Sequence, residues 1–99
     1  MDVTHHLNGS DFVWNDRKAA NNPGKHGGVT SVEAATVFFD PFFRLVDAGR
    51  NDEARDAIIG FDASGRLLFV VHIQIEDAYI RIISARKASN SERQDHEHF

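Results

Sequence analysis

The chain has no cysteine among its 99 residues, which excludes a disulfide framework and a thiolate metal site. Nothing therefore points to an oxidising compartment, and a cytoplasmic location is expected. Long apolar runs are also missing, with none approaching the roughly 20 residues that a membrane-crossing helix needs. The opening Met1-Asp2-Val3-Thr4-His5-His6 lacks a basic region followed by an apolar stretch, so no export signal is expected. An excess of positive charge is absent too. With a formal net charge of -4, a broad electrostatic grip on nucleic acid is disfavoured, and any such contact must be local.

What the sequence does contain is a hydrophobic fraction of 41%, enough for one core and one domain. Residues 1–10 show no periodicity and read as a flexible lead-in, leaving 11–99 as the folded unit. Phe12-Val13-Trp14 is apolar and β-prone, and Asn15 is suited to cap a helix that Asn21-Asn22-Pro23-Gly24 must stop. Lys25-His26-Gly27-Gly28 is then a loop. Thr30-Ser31-Val32-Glu33 has capping-box spacing and opens a second helix, which Asp40-Pro41 ends. Phe42 to Val46, Ala57 to Phe61, Leu67 to Ile75 and Ile80 to Arg86 read as strands. In the third of these Leu67, Phe69, Val71, Ile73 and Ile75 share one face while Leu68 and Val70 share the other, the pattern of a central strand. Ser89-Asn90-Ser91-Glu92 repeats the capping-box pattern before a terminal helix. The predicted order is a short N-terminal strand, two helices, a four-stranded antiparallel sheet and a C-terminal helix, an α+β arrangement.

Within that frame, Ile80-Arg81-Ile82-Ile83-Ser84-Ala85-Arg86 places two arginines in an apolar strand. A guanidinium leaves water at a cost unless it is paired or aimed at an anion, and its fork suits carboxylate or phosphate. Either reading is open: a structural pair with a carboxylate such as Glu33, or a binding site. Five residues apart, Arg81 and Arg86 point to opposite faces of a regular strand, so one cleft can use both only if the strand bulges or ends near Ser84. The six histidines raise the question of a metal, but they offer neither His-Glu-x-x-His spacing nor thiolates, and no metal or cofactor is expected.

Taken in order, Phe12, Trp14, Asp16 and Lys18, then Lys25-His26-Gly27, Glu33-Ala34-Ala35-x-Val37-Phe38-x-Asp40-Pro41, Gly65-Arg66-Leu67-Leu68-x-Val70-Val71 and the arginine strand resemble the BrnT family of ribonuclease toxins from type II toxin-antitoxin systems. Two positions depart from the family pattern. Lys18 follows Asp16 after one residue rather than two or three, and His96 stands where relatives often have tyrosine. The resemblance implies a RelE-like fold, metal-independent endonuclease cleavage of RNA that inhibits translation, and neutralisation by a BrnA-like DNA-binding antitoxin. DNA would be met only through that antitoxin, in a heterotetramer of two toxins and two antitoxins, and no membrane is involved. His26, Lys25, Arg81 and Arg86 are the implied catalytic group, with Lys18, Asn21, Arg55, Arg93 and His96 as candidates for holding RNA. The competing expectations are that Lys25 and His26 occupy a solvated turn, and that the chain is a catalytically inactive protein-binding module.

Overall fold

The computed structural model describes residues 2–15, 29–47 and 56–97. Among them are six strands and two short helices: β1 Asp2–Leu7, β2 Ser10–Asn15, α1 Ser31–Thr36 followed by a 3-10 turn Val37–Phe39, β3 Arg44–Asp47, β4 Asp56–Phe61, β5 Leu67–Ile75, β6 Tyr79–Lys87 and α2 Asn90–Glu97. The strands form one mixed sheet in the order β1-β2-β6-β5-β4-β3. Only β2 and β6 run parallel; the other neighbours are antiparallel.

This architecture corrects the expected RelE-like four-stranded sheet with a single short strand in front. The additional strand comes from the supposed lead-in. Asn8 and Gly9 both take positive φ, 50° and 83°, as a two-residue hairpin turn requires, and β1 folds back on β2 with Leu7 opposite Ser10. Val3 and Leu7 then pack against the core while Asp2, Thr4 and His6 remain exposed, a period of two that marks a strand. β2 joins the sheet through its parallel contact with β6, Phe12 opposite Ile80. The helix expected after Asn15 lies outside the described residues.

Both capping boxes form. The Thr30 hydroxyl accepts from the Glu33 amide while the Glu33 carboxylate takes the Thr30 amide, at 3.1 and 2.9 Å. The helix is short. The Thr36 hydroxyl donates back to the Glu33 carbonyl at 2.6 Å and accepts from the Ala63 amide, and the chain tightens into the 3-10 turn. Asp40 then accepts from the Phe42 amide through Oδ1 and from the Phe61 amide through Oδ2, pinning this turn to the end of β4 and delaying β3 until Arg44, two residues past its expected start. Gly60 is required there, since a Cβ would lie 3.0 Å from both Asp40 Oδ2 and Val37 Cγ1.

α1 lays Ala34 and Ala35 on Phe12, Ile58, Leu68, Val70, Ile82 and Ala85, which form the main core on one face of the sheet. β5 is central, between β6 and β4, as its alternation predicts. The β4–β5 turn is tied to α1 by Asp62, which is buried and accepts from the Ser64 and Arg66 amides and from Arg66 Nε, while Arg66 also pairs with Glu33 at 2.6 Å. Burial opposes ionisation of Asp62, but these hydrogen bonds outweigh it and hold the carboxyl below its usual range.

His72 sits in the core layer, its ring perpendicular to Phe38 at 4.8 Å. Burial lowers its pKa, outweighing the opposite effects of the Val70 backbone and Asp56. A histidine whose folded pKa is depressed contributes its full stability above the ordinary value of about 6.5 and loses it as pH falls from there toward the folded value. Urea denaturation should therefore show lower stability at pH 5.5 than at pH 7.5, a difference that shrinks in His72→Leu. An unchanged difference in that variant would contradict the assignment.

Candidate functional site

The site is built on an irregularity in β6. Val71 pairs with Ser84 but His72 pairs with Ile82, so Ile83 is an extra residue and forms a β-bulge. Ile82 and Ala85, three residues apart, both reach the core because of it. By the same shift Arg81 and Arg86 emerge on one face, the face away from α1. Their β5 partners, Ile73 and Phe69, are four residues apart, which confirms the common side. That spacing separates the two arginines by roughly 13 Å along the sheet, too far for both to meet one phosphate.

Each guanidinium is held by a carboxylate from a chain end. Arg81 makes two hydrogen bonds of 3.0 Å to the Asp2 carboxylate, and Arg86 makes two of 2.7 Å to Glu92. Pairing with these carboxylates raises the pKa of both arginines, and the Arg86 guanidinium lowers that of Glu92. Arg86 additionally stacks over the Phe69 ring at 4.4 Å. Neither arginine pairs with Glu33, which is engaged by Arg66.

α2 lies across this face. Arg44, Ile59, Phe69 and Arg86 form one row through the registers of β3, β4, β5 and β6. The helix holds both ends of the row: Glu92 takes Arg86, and the Asp95 carbonyl accepts from Arg44 Nη1 at 2.7 Å. Ser89 caps α2 by accepting from the Glu92 amide, and Glu92 takes the Ser89 amide in return. Glu92 thus caps the helix and docks it.

Of the sequence-derived candidates, Arg81 and Arg86 are brought to one face, and Arg93 is exposed on α2. His96 is buried, 3.6 Å from Asp40 Oδ2 and perpendicular to the Phe61 ring at 5.3 Å, so it anchors the helix. Lys18, Asn21, Lys25, His26 and Arg55 lie outside the described residues. Asp2, Glu92 and Phe69 were not anticipated as parts of this face. For Glu92 a signal existed, because its capping-box carboxylate sits one short turn beyond the strand that carries Arg86.

The result is a small mixed-sheet protein with one pleated face that carries two carboxylate-paired arginines, a flanking aromatic ring and a short capped helix. The chain matches the family model described as "Ribonuclease toxin, BrnT, of type II toxin-antitoxin system" over residues 14–92, and it belongs to that family. The family carries a ribonuclease-type activity and implies a protein antitoxin as partner. A search of curated proteins finds no match. No helix among the described residues is long and apolar enough to cross a membrane.

Proposed function

We propose that this chain is a metal-independent RNA endonuclease that inhibits translation in the cytoplasm until a BrnA-like antitoxin binds it. The observation that supports this most is the Ile83 bulge, which puts Arg81 and Arg86 on the same exposed side of the sheet. A regular strand would have split them. Cleavage requires a base to take the ribose 2′-hydroxyl proton as the 2′-oxygen attacks phosphorus, cations to stabilise the crowded phosphate, and an acid to protonate the departing 5′-oxygen. His26 is assigned the proton transfer, since an imidazole titrates near working pH, and Lys25 the adjacent phosphate contact. Arg81 and Arg86 hold the RNA backbone at separate points. Lys18, Asn21, Arg55 and Arg93 extend the contact, and the antitoxin supplies the DNA contacts in a complex of two toxins and two antitoxins.

A second reading has a specific observation in its favour. Both arginines are already engaged by Asp2 and Glu92 in a chain of net charge -4, as expected of a binding module without catalysis. Expression in a bacterial host separates the two readings. Induction of the wild type should arrest growth, and co-expression of the antitoxin from the same operon should relieve the arrest. Normal growth with full-length soluble protein would favour the inactive module.

A further inference from the structure

The bulge that returns Arg86 to the arginine face returns Ser84 as well. Ser84 pairs with Val71, which lies between Phe69 and Ile73 on the same side of β5, so the serine stands between the two arginines. Tyr79 joins them from the start of the strand. Its partner Ile75 continues the same alternation, and β6 therefore presents Tyr79, Arg81, Ser84 and Arg86 in one line. The steps from Arg81 to Ser84 and from Ser84 to Arg86 are each roughly 7 Å, two residues of β5. Ser84 thus fills the gap that the arginines leave.

The chemistry changes from β6 to β5. Beside the polar line, Phe69, Val71, Ile73 and Ile75 form an apolar lane whose members are only half-buried. A polar lane next to an apolar one fits a ligand with the same division, and single-stranded RNA has it, with phosphates along one side and bases along the other. A duplex does not, because its bases are turned inward. At the two arginines a phosphate must replace a carboxylate, but both pairs meet solvent, with Asp2 52% and Arg86 43% exposed, so the exchange costs little. Ser84 has nothing to replace. It is exposed, and no hydrogen bond to a described residue holds its hydroxyl.

We infer that Ser84 and Tyr79 contact RNA: a single strand runs along β6 with successive phosphates at Arg81, Ser84 and Arg86 and a base stacked on the Tyr79 ring. The inference rests on the ribonuclease reading and adds to it the path and the single-stranded form of the substrate. The serine hydroxyl donates to a phosphate oxygen, and the tyrosine offers a π face to any base.

Fluorescence anisotropy with a labelled, mixed-sequence 2′-O-methyl RNA tests this, because the blocked 2′-oxygen cannot attack and binding is read apart from cleavage. Ser84→Glu sets a carboxylate against the middle phosphate and should raise Kd at least about tenfold. Tyr79→Ala should raise it about fivefold or more. Ser84→Thr keeps the hydroxyl and Tyr79→Phe keeps the ring, so both should bind within about twofold of the wild type. All four should keep the wild-type melting temperature, and a hairpin duplex of the same RNA should bind the wild type more weakly than the single strand. Wild-type affinity in both Ser84→Glu and Tyr79→Ala would overturn the path while leaving the ribonuclease reading intact. Neither binding nor cleavage of RNA by the wild type would overturn both. Loss of antitoxin affinity in Ser84→Glu, with RNA affinity unchanged, would assign this face to the antitoxin and overturn the inference.

Discussion

Arg86→Ala is expected to lower RNA cleavage by about 10–10²-fold, the cost of losing a charge-assisted contact of roughly 1.5–3 kcal/mol to the RNA backbone. The accompanying loss of folding stability should be only about 0.5–1 kcal/mol, because the Arg86 side chain is 43% exposed and its pair with Glu92 is screened by solvent. The two readouts thus separate a functional arginine from an architectural one. Single-turnover cleavage and urea denaturation of the same preparation measure both. Glu92→Gln sharpens the test, since an amide can still serve the Ser89 cap but no longer competes with phosphate for Arg86. That variant should bind RNA more tightly than the wild type. Full cleavage by Arg86→Ala together with a steep fall in stability would make the arginine a helix clamp and nothing more.

His26→Ala is expected to reduce cleavage by about 10²–10⁴-fold, the range for removal of a general acid or base. Its pH dependence is as informative as its size. In the wild type the rate should follow an ionisation that vanishes from the residual activity of the variant. Lys25→Ala should lower the rate without removing the ionisation, because an ammonium stays charged across the range. A pH profile that survives His26→Ala would move the proton transfer to another group.

Much of the scaffold is legible in the residues. The Thr30 to Glu33 and Ser89 to Glu92 spacings fix two helix starts because each box satisfies two backbone donors locally, with no need of distant partners. The alternation in Leu67 to Ile75 likewise identifies the central strand. What escapes is the strand at the front. Val3, His5 and Leu7 alternate with polar residues and lead into Asn8-Gly9, the chemistry of a tight hairpin, yet six residues with two adjacent histidines give a weak pattern whose worth depends on β2 being available as a template.

The candidate site divides in the same way. That two arginines in one apolar strand need partners follows from the cost of burying charge. Their common face depends on a bulge at Ile83, a shift in the register of β5 against β6 that strand alternation alone does not reveal. Asp2 as the partner of Arg81 joins residues 79 positions apart, a contact that no local pattern encodes.

The most direct test of the account is cleavage of purified, ribosome-free RNA by the purified protein in the presence of a metal chelator, comparing the wild type with a variant that carries both His26→Ala and Arg81→Ala. Cleavage by the wild type in chelator, and almost none by the double variant, is expected. No cleavage by the wild type, or equal cleavage by both, would contradict it.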